Sequence, residues 1–255
     1  MVLSRLTWKD VDALSRDLVV LIPTGSCEQH GPHLPLFTDS ILATAAAEAV
    51  EAQLPDKTLL TPCLWLGASG HHLAMAGTLS ASFPAYMGAL QSVIDSLIPH
   101  GFYRFYVING HGGNTEPNGV ALRELKQRNL NCTFGHSGYF SFIGSEIESI
   151  MEGPLKDIRH ACEAEASLML HIAPELVRKD LLRNDGLRAS PNVKGVIHHF
   201  DEITEEGSLG YATLANADKG KRLFDLAVDG CVREIAGIAD GYVLESLPQP
   251  GTDVK

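Results

Sequence analysis

Short apolar runs alternate with longer stretches of helical spacing, and this alternation limits the possible folds of the chain more than any other feature. The runs at residues 18–23, 59–66 and 102–108 have the length of buried strands, and each leads into a loop with Gly, Pro or His. Helical patterns follow them at residues 40–54, 86–98 and 117–128. Strands that alternate with helices favour parallel pairing, with helices on both faces of the sheet. The sequence therefore predicts the α/β class.

The rest of the chain is less regular and gives no sign of a second unit. It contains a predicted surface helix at 8–17, a strand at 130–134, a helix or strand–helix junction at 160–171, a loop at 180–210 and a final helix at 218–242. No repeat, low-complexity tract or linker interrupts these patterns. With 255 residues, the chain suits one domain that spans residues 1–255.

The charge and the cysteines argue against several classes of partner. The formal net charge of −11 disfavours nucleic acid, which needs a basic surface, and disfavours an anionic membrane surface. The five cysteines are scattered and form no CxxC pair, which argues against a disulfide framework or a structural zinc knuckle. No stretch has the length of a membrane span or the pattern of a signal peptide. We therefore expect a soluble, cytoplasmic protein.

Carboxylate and histidine side chains gather in two loops that follow predicted strands. Glu28, His30, His33 and Asp39 lie after the first strand, and His111 lies in a glycine-rich loop after a later one. Open α/β sheets bind ligands at the carboxyl ends of their strands. Carboxylate oxygens and imidazole nitrogens together are suitable ligands for Zn, Mn or Fe. The two loops together therefore predict a metal site.

Each of these residues also has a simpler interpretation. Asp39 precedes a predicted helix and could serve only as its N-cap. A single His30 or His33 is more often a hydrogen-bonded loop residue than a metal ligand. The loop around His111 could be an ordinary strand–helix turn or a phosphate cradle, although it lacks the Lys-Ser/Thr of a P-loop and the GxGxxG spacing.

Two further clusters leave the roles of their residues open. His160, Glu163 and Glu165 either begin a surface helix, with acidic side chains that complement its dipole, or supply a carboxylate ligand and a proton-transferring histidine. His71 and His72 are adjacent in the chain. Adjacent side chains usually diverge, so we expect at most one of these two histidines to face a site.

The segments at residues 25–39, 109–114 and 160–170 resemble three signature segments of the creatininase-like amidohydrolases. Residues 77–80 and 210–220 resemble weaker signatures, and the resemblance extends from about residue 4 to residue 242. It implies a three-layer α/β/α sandwich and a homo-oligomer, often a hexamer built from dimers. It also implies two divalent metal ions per chain, which are Zn, Mn or Fe.

The resemblance implies roles for particular residues when the motifs are matched position by position. Glu28 and His111 would bind one metal ion, His30 would bind the other, and Asp39 would bridge the two. His160 matches the position to which the family assigns catalytic proton transfer.

The chain departs from the creatinine-cleaving members of this family near two motifs. Those members have a Tyr and a metal-binding Glu where this chain has Gly112 and Gly113, and they have tryptophans before the position of His160. The missing ligand must come from elsewhere. Glu165 is the candidate, because it matches the family's Glu-Thr-Ser position, and Glu163 is the alternative.

Because of these departures, we do not expect creatinine to be the substrate. Other branches with the Gly-Gly form include deformylases of pyrimidine intermediates and the enzyme that trims the mycofactocin precursor peptide, and the sequence does not choose among them. The expected substrate is a small molecule or small peptide with a linear or cyclic amide bond. A hydroxide that bridges the metal ions would attack the carbonyl, and His160 would protonate the leaving nitrogen.

Two divalent ions, the carboxylates of Glu28, Asp39 and Glu165, and one hydroxide are together neutral, which suits a dry cleft. Two alternatives remain open at this point. One is a nucleotide- or phosphate-binding module that uses the loop at 109–114. The other is a non-catalytic protein in which a single metal ion only stabilises the fold.

Overall fold

The central feature of the computed structural model is a parallel sheet of four strands in the order β2-β1-β3-β4. The structure describes residues 1–187 and 195–242. The strands are β1 (Val19–Thr24), β2 (Thr58–Leu60), β3 (Arg104–Asn109) and β4 (Thr133–Gly138). All three pairings are parallel, with β1 and β3 adjacent in the middle of the sheet. The predicted α/β class with a parallel sheet is therefore confirmed.

Helices cover both faces of this sheet. They are α1 (Trp8–Asp12), α2 (Thr38–Gln53), α3 (Phe83–Leu97), α4 (Thr115–Arg128), α5 (Ile147–Ile150), α6 (Glu163–Ile172), α7 (Phe200–Ile203) and α8 (Ala217–Ala239). A small antiparallel pair, β5 (Asn184–Asp185) and β6 (Gly210–Tyr211), lies outside the main sheet. None of the helices in the described part of the chain is long and apolar enough to cross a membrane.

The side chains of β1 alternate between two apolar cores, which gives the three layers. Val19 and Leu21 pack in the core that contains residues of α2, α6 and α8, whereas Val20 and Ile22 pack in the core of α3 and α4. Successive side chains of a strand point to opposite faces. Because both faces of β1 are buried, its sequence is apolar from Val19 to Pro23 instead of alternating with polar residues.

Several predicted boundaries were wrong. The second apolar run forms a strand only as far as Leu60, because Pro62 has no N–H for the ladder, and Leu64 then makes a single bridge to Thr24. The surface helix ends at Asp12 instead of residue 17. The strand predicted at 130–134 lies at Thr133–Gly138 and contains small and polar residues, because it is an edge strand that is buried less completely.

Other boundaries differ less. The last helix ends at Ala239, two residues before Gly241, which has a φ of 80° that an α-helix does not allow. The loop predicted at 180–210 contains the pair β5 and β6 and the short helix α7, and its residues 188–194 lie outside the described residues.

Two glycines allow the start of α2 to pack directly against the ends of β1 and β3. A Cβ added at Gly25 would lie 2.4 Å from Oγ of Ser40, and a Cβ at Gly110 would lie 2.5 Å from the carbonyl oxygen of Asp39. Any larger residue at either position would push α2 away from the sheet. The two loops and the first turn of α2 are therefore held together at the carboxyl edge of the sheet.

Helix α8 contains two glycines that should respond oppositely to alanine. A Cβ at Gly220 would lie 1.9 Å from the carbonyl oxygen of Ser167 in α6, whereas one at Gly237 would have no described heavy atom within 4 Å. We expect Gly220→Ala to lower the free energy of unfolding by about 1–3 kcal/mol through overpacking. The control Gly237→Ala should raise it by about 0.4–1 kcal/mol by restricting the unfolded chain.

Urea denaturation followed by circular dichroism measures both free energies of unfolding. Equal effects of the two substitutions would contradict the close approach of α6 and α8.

Candidate metal centre

The predicted site residues come together at the carboxyl edge of the sheet. Glu28 and His30 lie in the loop after β1, Asp39 in the first turn of α2, and His111 in the loop after β3. The first turn of α6 adds Glu165, and His160 lies just before that helix. The five predicted ligands are at most 6% exposed. Residues far apart in sequence therefore form one buried cluster.

Asp39 lies at the centre of this cluster, with one carboxylate oxygen toward each of two histidines. Its Oδ1 is 3.0 Å from Nε2 of His30, and its Oδ2 is 3.0 Å from Nδ1 of His111. Ser26 Oγ donates a hydrogen bond to Oδ2 at 2.7 Å. The N-cap alternative is wrong, because Phe37 occupies the N-cap position and Asp39 lies within the helix.

Three groups of possible ligand atoms share this neighbourhood, and two of them contain the predicted ligands. Within each group the atoms lie within 4.8 Å of one another; the first group is Glu28, Asp39 and His111, and the second is His30, His160 and Glu165. Atoms that bind one metal ion at about 2.0–2.2 Å with tetrahedral angles lie roughly 3.3–3.6 Å apart. The separation of Glu28 Oε1 and His111 Nδ1, 3.2 Å, is close to that range, and that of His30 Nε2 and Glu165 Oε2 is 4.0 Å.

His30 and His111 make the hydrogen bonds that metal-binding histidines usually make. Nδ1 of His30 is 3.1 Å from the carbonyl oxygen of Glu28, and Nε2 of His111 is 3.3 Å from that of Ala68. A carbonyl oxygen only accepts, so these nitrogens carry the protons. The other nitrogen of each ring faces the carboxylates, and on losing its proton it would offer a lone pair to a metal ion.

Glu28 provides a further test of whether a metal ion fits this site. Both of its carboxylate oxygens are buried and accept no hydrogen bond from any residue in the ranges 1–187 and 195–242. A buried carboxylate without a partner is costly unless a cation offsets its charge. The donor set of carboxylates and imidazoles therefore fits divalent metal ions, and Glu28 in particular has no hydrogen bond to satisfy its oxygens within the described ranges.

Glu163 and Glu165 have different surroundings, although both lie in the first turn of α6. Glu163 accepts a hydrogen bond from Nζ of the buried Lys219 at 2.6 Å and two from the backbone N–H groups of Glu152 and Gly153, each at 2.9 Å. Its charge is thus already offset by a lysine. Glu165 instead accepts from the N–H of Ala161 and faces His30. This contrast supports Glu165 as the fifth ligand.

The electrostatics of the cluster follow from burial and from its three carboxylates. Burial, together with the negative charge of Asp39, raises the pKa of Glu165 to about 8. Burial lowers the pKa of His30, but Asp39 outweighs this effect and raises it to about 10. Burial and the neighbouring His71 lower the pKa of His72 to about 2. The buried carboxylates of the cluster therefore attract cations strongly, whereas His72 stays neutral.

The cluster forms the floor of a cavity of about 460 Å³. Its polar lining includes both His71 and His72, so the expectation that at most one of them would face a site was wrong. Both lie in one 3₁₀ turn, in which successive side chains are separated by about 120° and can reach the same space. Among the described residues, His33 has no hydrogen bond to a carboxylate; its Nε2 is 2.9 Å from the carbonyl oxygen of Ala161.

Two contributors to the site were not predicted. Gln29 contacts both His72 and His160 through its side chain, and Phe200 stacks on His72 with ring centroids 3.9 Å apart. Gln29 could have been noticed, since it lies between two predicted ligands. Phe200 comes from a region whose sequence reads as a loop, and no pattern marks it.

Comparison with known proteins places this fold and cluster in a family. The family model described as "Creatininase: Creatinine amidohydrolase" matches residues 4–235. The chain belongs to the creatininase family. The resemblance drawn from its three motifs is thus confirmed.

Relatives of this creatininase-family chain include enzymes with different named substrates. It is 34% identical over 226 residues to a mycofactocin precursor peptide peptidase of Mycobacterium ulcerans (strain Agy99), covering 85% of this chain and 84% of the relative. It is 30% identical over 243 residues to a creatinine amidohydrolase of Pseudomonas putida, covering 88% and 92%. A solved mutant creatininase of Zn–Zn type superposes with a TM-score of 0.79 at 29% identity, covering 92% of this chain and 96% of that one.

The surroundings of the two glutamates in α6 predict different consequences of neutralising each. Glu165→Gln should lower the metal content by about one ion per chain, because an amide binds metal ions more weakly than a carboxylate. The matched control Glu163→Gln should keep its metal ions and lose folding stability, since Lys219 would remain buried with a weaker partner.

Elemental analysis and thermal unfolding of both variants separate these effects. Greater metal loss from Glu163→Gln than from Glu165→Gln would move the ligand assignment to Glu163.

Asp39→Asn tests the central carboxylate. Asn caps helices about as well as Asp, so a role in capping predicts little change. A carboxylate placed between two cations offsets their repulsion, which a neutral amide does not do. We expect loss of at least one metal ion and a fall in kcat of roughly 10³-fold, about 4 kcal/mol in the barrier, with an unchanged circular dichroism spectrum. Two retained ions with near-normal activity would contradict this role.

Proposed function

We propose that this protein is a dinuclear metal-dependent hydrolase that cleaves an amide C–N bond in a small molecule or small peptide. The observation that carries the proposal is the position of Asp39, whose two oxygens face two separate groups of ligand atoms. Glu28 and His111 would hold one divalent ion, and His30 and Glu165 the other. Zn, Mn and Fe all suit this mixed donor set.

Divalent ions held by these residues would supply a nucleophilic water at neutral pH and polarise a carbonyl oxygen for amide hydrolysis. The residues of the chain then have to position the substrate and move one proton. Burial is the chief reason that the pKa of His160 is well below its ordinary value, and the nearby His30 and His72 lower it further. His160 is thus neutral in the metal-free protein, with one ring nitrogen free of a proton.

The hydrogen bonds of His160 identify the atom that would transfer the proton. Its Nε2 is 2.7 Å from the carbonyl oxygen of Gln29, so Nε2 carries a proton and donates it to that oxygen. Its Nδ1 is 3.6 Å from Oε1 of Glu28 and faces the ligand cluster. We infer that Nδ1 takes the proton from the attacking water and passes it to the leaving nitrogen.

The side chains that line the cavity indicate which substrates it can accept. Phe140, Ile158, Phe200 and Leu209 form an apolar part of the lining, next to the polar floor. A Cβ at Gly112 would have no described heavy atom within 4 Å, so this position leaves open space beside the cluster. The cavity therefore suits an amide with an apolar substituent, such as a small peptide, better than creatinine. The similarity to the mycofactocin precursor peptide peptidase supports the same choice.

The two alternative functions fit the site less well. A phosphate-binding loop would have to accept an anion next to the carboxylates of Glu28 and Asp39, which repel it. A single structural ion would leave either the group of Glu28, Asp39 and His111 or that of His30, His160 and Glu165 unused.

We also propose that the protein works as a cytoplasmic homo-oligomer. The five cysteines are free, which suits a reducing compartment. The resemblance to the creatininase family supports a hexamer.

Removal of the metal ions tests the proposed function. We expect prolonged chelation to abolish hydrolysis of a panel of short peptides, because the nucleophile depends on the ions, and we expect added Zn or Mn to restore it. Creatinine serves as the comparison substrate and should be turned over slowly. Circular dichroism checks that the apoprotein stays folded. Full activity in protein shown by elemental analysis to be free of metal would overturn the proposal.

A further inference from the structure

The carboxamide of Gln29 has an orientation that its neighbours fix. The backbone N–H of Gly31 donates to Oε1 at 2.9 Å, and Nε2 donates to the carbonyl oxygen of Gly207 at 2.9 Å. An N–H can only donate and a carbonyl oxygen can only accept. Exchanging the oxygen and nitrogen of this amide would break both bonds, so the amide has one orientation.

Gly207 lets its loop pack directly against the carboxamide of Gln29. It has a φ of +91°, and a Cβ at this position would lie 1.9 Å from Oε1 of Gln29. The loop therefore approaches the amide as closely as a backbone can. Gln29 itself is only 5% exposed, so its amide forms its hydrogen bonds within the protein.

The second hydrogen on Nε2 of Gln29 determines the tautomer of His72. Nδ1 of His72 is 2.8 Å away, and Nε2 of His160 is 3.1 Å away. The latter already carries a proton, because it donates to the backbone carbonyl of Gln29, and so cannot accept another. Nδ1 of His72 must therefore be the acceptor. The proton of the neutral His72 ring then lies on Nε2.

Nε2 of His72 lies at ion-pair distance from Glu28, whose two oxygens accept no hydrogen bond from the described residues. The distance to Oε1 of Glu28 is 3.4 Å, and His72 is 1% exposed. By distance alone, Glu28, His72 and His160 would make a third group of metal ligands. A ring nitrogen that carries a proton cannot bind a metal ion, however, so the hydrogen bonds rule His72 out as a ligand.

We propose that Gln29 and His72 form a relay that positions Glu28 for its metal ion. Gln29 fixes the proton of His72 on Nε2, and this N–H would donate to Glu28 once the metal ion is bound, so that His72 is a donor and not a ligand. The inference rests on the proposed metal site. His72 is accordingly a positioning residue. Groups that hydrogen-bond to metal-binding carboxylates typically change metal affinity by about 10–100-fold.

Zinc affinity of three proteins, measured by competition with a chelator, tests this relay. His72→Leu removes the donor and should weaken zinc binding by about 10–100-fold. His72→Gln keeps an N–H donor of similar reach and should bind zinc nearly as well as the wild type. His71→Leu, at the neighbouring position in the same cavity, is the control and should bind zinc normally.

Equal losses from His72→Gln and His72→Leu would show that His72 itself binds the metal ion, since an amide is a poor ligand. No loss from His72→Leu would show that His72 does not position Glu28. Either result overturns the relay.

A second measurement uses the wild-type protein, so it requires neither a folded variant nor a bound metal ion. Long-range ¹H–¹⁵N correlation spectra of the wild-type protein, with and without zinc, report which ring nitrogen of His72 is protonated. We expect the Nε2–H tautomer in both. The Nδ1–H tautomer, or a metal-shifted Nε2 signal in the zinc form, would overturn the relay. A wild type that binds none of zinc, manganese and iron would refute the proposed function, whereas its His72 tautomer would still test the relay.

Discussion

Three carboxylates share the buried floor of one cavity, and a carboxylate away from water is costly unless a cation offsets its charge. Glu28, Asp39 and Glu165 are 0%, 2% and 6% exposed. The pKa of Glu165 is raised to about 8, which shows how strongly burial and the neighbouring charges disfavour a third negative group there. Two divalent cations would offset this concentration of charge, and metal binding would then be linked to local stability in this protein.

The fold brings these groups together through close backbone approaches. The adjacent parallel strands β1 and β3 place their following loops side by side, and Gly25 and Gly110 let the start of α2 pack against both. Asp39 thereby reaches between His30 and His111 from a rigid helix. Helices and strands hold a site more accurately than flexible loops do, and this accuracy is what metal coordination requires.

The sequence predicted the parts of the site that depend on local patterns. The loops after β1 and β3 could be located because apolar runs mark the buried strands and because parallel strands end at the same edge. Side chains two positions apart on a helix point roughly 200° apart, so Glu163 and Glu165 face different directions. Periodicity alone does not say which of the two faces the site. Their surroundings depend on Lys219, which pairs with Glu163 from the far end of the chain.

Other features depended on hydrogen bonds between distant segments. Gln29 and His72 lie on different loops, and the carbonyl oxygen that orients Gln29 belongs to Gly207. No spacing in the sequence records such a contact. The strand β4 was placed too early because its small and polar residues reflect its position at the edge of the sheet, which is a property of the fold and not of the segment.

Anomalous diffraction from crystals of the zinc-loaded protein, recorded on both sides of the zinc absorption edge, tests the central claim most directly. The account predicts two anomalous peaks per chain, one on each side of the Asp39 carboxylate. One peak should contact Glu28 and His111, and the other should contact His30 and Glu165. A single peak, or two peaks of which either fails to contact Asp39, would contradict it.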